Sequence, residues 1–192
     1  MKTKEKKLRS GDYGYIDARK RRQLILVILW VVVIAAVEIG GWIYFGDRMN
    51  TATVVGIVLV LPAAKSLVGL VLIFPYHTGD AGEYEKICSI LGDKCEVLAD
   101  LVLTRYEGSM NVTIAMFHSG NIFAYVPAQK CPPDKIRQYL KQSVKAAGGT
   151  VTPVVCTDFK KYVEYAEKIA ASEIKRTKKD DAVAADVLSR AV

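Results

Sequence analysis

The sequence has few of the side chains that most often bind metals or cofactors. It contains two histidines and four cysteines among 192 residues, and no Cys-x-x-Cys pair occurs. Structural zinc sites usually pair their ligands two to four residues apart, so no zinc site is predicted. The phosphate-binding pattern Gly-x-x-x-x-Gly-Lys-Ser/Thr is also missing. Its absence argues against nucleotide hydrolysis, and no cofactor is predicted.

The part of the chain that is expected to fold as a domain lacks an excess of positive charge. Residues 1–22 contain nine Lys or Arg and three acidic residues, whereas residues 77–192 contain sixteen and fifteen. The formal net charge of +7 therefore comes mainly from the N-terminal tail. Nucleic-acid-binding domains normally carry a basic stripe on their folded surface, so the sequence argues against a nucleic-acid partner.

Long hydrophobic runs dominate the first half of the chain, over residues 23–45 and 51–75. Each run would form a helix of about 35 Å at ~1.5 Å per residue. A bilayer core is about 30 Å thick, so each helix is long enough to cross it. We predict a transmembrane hairpin over residues 23–76, because the first run is too long for a cleaved signal peptide.

Positive charge in front of the first span predicts the orientation of the hairpin. Four consecutive basic residues come directly before it: Arg19, Lys20, Arg21 and Arg22. The positive-inside rule then places the tail over 1–22, and everything after residue 76, in the cytoplasm. The four basic side chains would also contact anionic lipid headgroups. We expect a protein of the cytoplasmic membrane with both termini in the cytoplasm.

Two charged residues interrupt the apolar runs, Glu38 in the first span and Lys65 in the second. An antiparallel hairpin would separate them by about 10 Å along its axis at ~1.5 Å per residue. Helical side chains lean toward the N-terminus of their own helix, so these two would reach toward each other, and we predict an ion pair. Alternatively, Lys65 binds a partner span, a lipid phosphate or an ion, helped by a helix kink at Pro62.

The rest of the sequence predicts a cytoplasmic α/β domain over residues 77–178. Hydrophobic periodicity gives the order α-β-β-β-α-β-α and a mixed sheet, in which the first three strands are consecutive and antiparallel. Asp80 and Glu83 form a capping-box pattern at the start of the first of these helices. Residues 179–192 are predicted to be a weak helix or a frayed tail.

Few residues of this domain are candidates for chemistry. Cys131 precedes a predicted helix near Lys130 and Lys135, and helix N-termini and cations lower the pKa of a thiol. An ordinary loop cysteine is the alternative. His118 and Ser119 are adjacent in a predicted turn, where a base and a nucleophile rarely align. These residues give little support to an enzyme.

The order of elements resembles the PD-(D/E)xK nuclease-like fold. Such nucleases hold a divalent metal with an Asp and an acid-x-Lys pair on adjacent strands. Here the third strand, NIFAYVP, has neither an acid nor a lysine, and Asp100 in the first strand has no companion. The resemblance implies a degenerate nuclease-like module that binds nucleic acid at the membrane.

Two stretches, GDYGYI at residues 11–16 and LPAAKS at residues 61–66, give a second resemblance. They resemble an uncharacterised family of small two-span bacterial membrane proteins, some of which carry a glycosyltransferase-like name. The sequence has no nucleotide-sugar motif to support that activity. We therefore predict a non-enzymatic interaction or regulatory module that binds an unknown membrane or cytoplasmic protein. The alternative is a homo-oligomeric channel or transporter subunit built around Lys65.

Overall fold

The computed structural model describes residues 8–46, 51–92, 94–105, 108–127, 132–146, 152–172 and 177–191. Six helices and four strands form in these residues. In chain order they are α1 (Tyr15–Phe45), α2 (Thr51–Ile73), α3 (Ala81–Leu91), β1 (Glu96–Arg105), β2 (Gly108–His118), β3 (Asn121–Tyr125), α4 (Pro133–Ala146), β4 (Val154–Cys156), α5 (Phe159–Ala171) and α6 (Lys178–Arg190). Asp17–Pro75 forms one unit, the helical unit. Met1–Ile16 and Tyr76–Val192 together form the other, the sheet unit.

The helical unit consists of the two apolar helices. Both α1 and α2 are long and apolar enough to cross a membrane. Only 6% of the residues in the most apolar stretch of each helix are buried, so most of their side chains are exposed or half-exposed. α1 begins at Tyr15, eight residues before the predicted span, because the basic residues in front of that span continue the helix.

The sheet unit contains one four-stranded sheet in the order β1-β2-β3-β4. β1 pairs antiparallel with β2, and β2 pairs antiparallel with β3. β4 runs parallel to β3, because α4 carries the chain back before β4 begins. The predicted order of elements and the mixed sheet are confirmed.

Helices cover both faces of this sheet. α3 and α5 pack on one face around Ile87, Leu91 and Tyr162, whereas α4 and α6 pack on the other around Leu140 and Val187. Helix caps fix where two of them begin. The Asp80 carboxylate accepts the Glu83 N–H at 3.1 Å, and the Asp158 carboxylate accepts the Lys160 N–H at 3.0 Å.

The C-terminal stretch forms the packed helix α6. Of the two predictions for residues 179–192, the structure shows the helix and not a frayed tail. Val183, Ala184 and Val187 are buried in the core. The buried Asp180 carboxylate accepts the Thr177 N–H at 2.8 Å and the Gly120 N–H at 2.6 Å. α6 is therefore held both at its own cap and at the β2–β3 turn.

The N-terminal tail also differs from its prediction. Residues 8–16 belong to the sheet unit and do not form part of a free basic tail over 1–22. The Gly11 carbonyl accepts the Ala99 N–H at 2.8 Å, and Ile16 is fully buried. Apolar burial and a backbone hydrogen bond together explain why this segment is ordered.

Candidate functional site

Asp100 lies at an irregular point of β1. It is 1% exposed and its φ is 51°, in the left-handed region that few residues other than glycine adopt. Its neighbours Ala99 and Leu101 pair with β2, whereas Asp100 itself is passed over in the ladder. Side chains of a regular strand alternate between its two faces, and the irregularity at Asp100 interrupts this alternation. Leu98 and Leu101, three residues apart, therefore face the same core.

The Asp100 carboxylate accepts hydrogen bonds from two chain segments. One donor set precedes and begins α1: the Gly14 N–H at 2.9 Å and the Ile16 N–H. The other set follows α2: the Thr78 hydroxyl at 2.9 Å and the Gly79 N–H at 3.3 Å. A carboxylate at the first turn of a helix also interacts favourably with the helix dipole. One side chain thus binds the segments on both sides of the helical unit.

Aromatic side chains strengthen the same junction. The Tyr13 hydroxyl donates to the Gly79 carbonyl at 2.8 Å, and its ring stacks on Tyr84 of α3 with 4.9 Å between ring centroids. The Tyr76 hydroxyl donates to the Ser109 carbonyl at 2.5 Å. We call residues 8–16, residues 76–80 and Asp100 the junction.

Two glycines explain the GDYGYI stretch in structural terms. Gly11 has a φ of 95° and Gly14 a φ of 83°, which residues with a side chain rarely adopt. A methyl group on Gly11 would also lie 2.9 Å from Leu188 and 3.0 Å from Leu98. The two glycines therefore allow the backbone of residues 11–14 to turn and, at Gly11, to lie close to Leu98 and Leu188.

Burial and hydrogen bonding act on the pKa of Asp100 in opposite directions. Burial raises the pKa of the carboxyl above its ordinary value of 3.8, and the donors from Thr78, Gly79, Gly14 and Ile16 reduce that rise. The net effect is a pKa of Asp100 above its ordinary value. All of these donors are also engaged with Asp100, so a metal ion could bind this carboxylate only by displacing them.

The helical unit places Glu38 and Lys65 apart. The Glu38 carboxylate lies 3.5 Å from the Thr53 hydroxyl and directly against Gly56, where a methyl group would overlap it. Gly56 and Lys65 are nine residues apart, which is two and a half helical turns, so they point to opposite faces of α2. Lys65 is exposed. The predicted ion pair is not formed between these two described residues, because Glu38 faces α2 on the side away from Lys65.

The remaining predicted site residues are spread over the chain. The Ser66 hydroxyl donates to the Pro62 carbonyl at 3.1 Å, and α2 continues as a helix through Pro62. The four basic residues lie in the first turns of α1, where the Lys20 ammonium is 4.0 Å from Asp17 and 6.0 Å from the Phe74 ring. Cys131 lies outside the described residues.

His118 has a serine neighbour that the sequence did not reveal. Its Nε2 lies 3.3 Å from the Ser172 hydroxyl, which donates its proton to the Ile169 carbonyl at 2.7 Å. The Ile169 carbonyl is the nearer acceptor for the hydroxyl proton, and Nε2 is the more distant contact of Ser172. Nδ1 is buried without a hydrogen-bond partner among the described residues. The pair is therefore not arranged as a base and nucleophile.

A tyrosine and a carboxylate meet where β3 ends. The Tyr125 hydroxyl donates to Glu83 at 3.3 Å. Burial and the neighbouring Glu83 raise the pKa of Tyr125 to about 12, and burial raises the pKa of Glu83. The phenol therefore keeps its proton at neutral pH and links β3 to α3, which is a structural role.

The metal site of a nuclease-like fold has no counterpart in the described part of the chain. Among those residues, no group of three His, Cys, Asp or Glu side chains is arranged to hold a metal ion. β3 contributes Asn121–Tyr125, which has neither an acid nor a lysine. Asp100 instead binds the junction.

Comparisons with known proteins leave the function to be argued from this geometry. No protein-family model, curated protein or solved structure matches the chain. The two resemblances noted in the sequence therefore stay predictions.

Proposed function

We propose that this chain is a two-pass membrane protein whose sheet unit is a binding module for another protein, without an enzymatic activity of its own. The hairpin of α1 and α2 holds the module at the inner surface of the cytoplasmic membrane. The many exposed apolar side chains of both helices support membrane insertion, because so much apolar surface is rarely left in water.

The observation that carries the proposal is the junction. Residues 8–16 and 76–80 meet on Asp100, so the chain leaves the sheet unit into α1 and returns to it from α2. This arrangement supports a hairpin whose two ends lie on one side of the membrane. The basic residues at the start of α1 favour the cytoplasmic side.

The buried polar groups of the sheet unit support a binding role over a catalytic one. Asp100 and Asp180 each bind backbone N–H groups of distant segments, and Tyr125 binds Glu83. Ionisable groups with perturbed pKa values often mark active sites, but Asp100, Glu83 and Tyr125, whose pKa values are raised, each have a hydrogen-bond partner within the fold.

Accessibility labelling tests the topology. Single cysteines are placed at Arg48, in the loop between the helices, and at Lys160 in α5, in a chain whose four cysteines are replaced. We expect an impermeant maleimide to label position 48 in intact cells and position 160 only after lysis. Labelling of both positions in intact cells would contradict the proposed orientation.

Chemical cross-linking followed by purification of the tagged full chain from its own membranes tests the binding role. We expect a stoichiometric protein partner that survives nuclease treatment. Recovery of the chain alone at several cross-linker concentrations would contradict the proposed binding role.

The nuclease-like order of elements supports one alternative, a nucleic-acid-binding module. It predicts salt-sensitive retention of DNA or RNA by the purified chain, because such binding releases counterions. The near balance of charge over residues 77–192 gives it less support.

A further inference from the structure

Lys65 lies at the centre of an exposed stripe on α2. Val58 and Leu61 precede it, and Val68 and Leu72 follow it, at successive intervals of three or four residues, which places all five on one face of a helix. The exposed fractions of the four apolar residues are 58%, 72%, 58% and 42%. We call these four residues and Lys65 the lysine stripe. It is an outward apolar surface with one positive charge in its middle.

The position of Lys65 makes its charge hard to solvate. It is fourteen residues from Thr51 and eight from Ile73, or about 21 Å and about 12 Å from the two ends of α2 at 1.5 Å per residue. A four-carbon stem covers roughly half of the shorter distance. The side chain also leans toward the N-terminus of α2, away from the nearer end. A charge at this depth costs about 3 kcal/mol on insertion scales unless it finds a partner.

The described residues of the chain do not supply that partner. Glu38 faces Thr53 and Gly56 on the opposite side of α2. Pro62 adds a second polar group to the stripe, since proline has no N–H to donate to the Val58 carbonyl four residues before it. The face therefore presents both a cation and a backbone acceptor to its surroundings.

We propose that the lysine stripe binds a membrane-spanning helix of another protein that carries an Asp or Glu at the depth of Lys65. This inference rests on the proposed function and specifies the partner's chemistry. Charge complementarity selects a carboxylate, and a helix is the element that satisfies its own backbone groups in lipid.

A second copy of this chain does not fit the stripe. Two copies side by side in the same orientation would place their Lys65 ammoniums at equal depth, where they repel. Each Glu38 would lie level with Thr53 and Gly56, about 13 Å from Lys65 at 1.5 Å per residue. Among the described residues of 23–76, Glu38 is the one acid, and it does not lie at the required depth.

Site-specific photo-cross-linking in the full chain tests the proposal. A benzophenone amino acid replaces Val68 on the stripe, and the matched control replaces its neighbour Leu67, which is 49% exposed and points away from Lys65. We expect Val68 to cross-link a peptide from another protein's membrane-spanning segment that contains Asp or Glu. The yield should fall at least tenfold in Lys65→Met, be retained in Lys65→Arg, and be lower at Leu67.

Several outcomes would overturn the proposal. They are cross-links to lipid alone, to another copy of this chain, or to a segment without an acid, and a yield that Lys65→Met leaves unchanged. Membrane levels of each variant are measured to show that insertion is intact. If chemical cross-linking recovers a partner that contacts only the sheet unit, the proposal for the lysine stripe is wrong but the proposed function stands. If neither chemical cross-linking nor photo-cross-linking recovers a partner, both are wrong.

Discussion

At the scale of single residues, Asp100 binds segments that lie far apart along the chain. Its left-handed backbone and its four donors are linked, because the irregularity in β1 turns the carboxylate toward the junction. A buried carboxylate is favourable only when its oxygens are satisfied, and here the donors come from segments more than twenty residues away along the chain.

Substitution of Asp100 should lower stability in a graded way. We expect Asp100→Asn to cost about 1–2 kcal/mol and Asp100→Ala about 2–4 kcal/mol, because alanine leaves all the donors unsatisfied and is strained at positive φ. Asparagine keeps one acceptor and tolerates the left-handed conformation. Melting temperatures of the purified chain in detergent would measure this order. Equal losses for the two variants would show that the hydrogen bonds are not the cause.

The raised pKa of Asp100 also predicts a pH dependence. The folded chain holds the Asp100 proton more tightly than the unfolded chain, so this contribution is complete below pH 3.8 and is lost as the pH rises through the raised pKa. Asn at position 100 does not titrate. The melting temperature of the wild type minus that of Asp100→Asn should therefore fall as the pH rises above 3.8 and through the raised pKa. A difference that grows with pH would mean that the donors outweigh burial.

At the scale of elements, two helices depend on contacts that a helical wheel does not show. α6 is amphipathic only in part, yet it is anchored to the β2–β3 turn through Asp180. α2 packs against α1 where Gly56 leaves room for the Glu38 carboxylate. In both cases a polar group fixes the position of an otherwise ordinary helix.

Asp180→Ala should release the start of α6. We expect a loss of about 2 kcal/mol or more, since the alanine removes a helix cap and leaves the buried Gly120 N–H unsatisfied. Asp181→Ala is the matched control, because Asp181 lies in the same helical turn and is exposed. Thermal unfolding of both variants would measure the difference. A similar loss in both would indicate a general effect of first-turn charge.

Gly56→Ala should disturb the contact between α1 and α2. The added methyl group overlaps Glu38, whereas Gly40→Ala adds the same group in open space. We expect a lower melting temperature for Gly56→Ala alone, and recovery when Glu38→Ala is combined with it, since the smaller side chain leaves room. Failure of the second substitution to restore stability would contradict the close approach of these two residues.

At the scale of the whole molecule, the boundaries of the two folded units differ from those that the hydrophobic runs predict. Residues 8–16 precede the first apolar helix but belong to the sheet unit. The hairpin is therefore an insertion between two parts of one folded unit, and a soluble domain cut at residue 76 would lack its N-terminal segment.

A fragment over residues 76–192 should be less stable than the same fragment joined to residues 8–16 by a flexible Gly/Ser linker. Loss of the segment removes the burial of Ile16 and the Gly11 and Gly14 hydrogen bonds. We expect a difference of about 3 kcal/mol, or roughly 10 °C or more in melting temperature. Calorimetry of both soluble fragments would measure it. Equal melting temperatures would show that residues 8–16 only lie on the surface.

The sequence by itself determined the features that local patterns control. Two apolar runs predicted α1 and α2, and periodicity predicted the helices, strands and mixed sheet, because hydrophobic spacing follows the backbone repeat directly. The cap at Asp80 follows from its position before a helix. The predicted Glu38–Lys65 ion pair is not formed. The prediction used the distance along the helix axis and the tilt of the side chains, and neither determines which face of a helix contacts its neighbour.

Only the tertiary structure decided what Asp100, Asp180 and the GDYGYI stretch do. The Asp100 side chain binds groups between 21 and 86 residues away along the chain, and Asp180 binds the Gly120 N–H 60 residues away, so no local pattern could connect them. A solitary acid inside an apolar strand was the one visible signal, since a buried carboxylate needs donors from somewhere. The sequence determined which segments fold, and packing in three dimensions determined which of them Asp100 and Asp180 hold together.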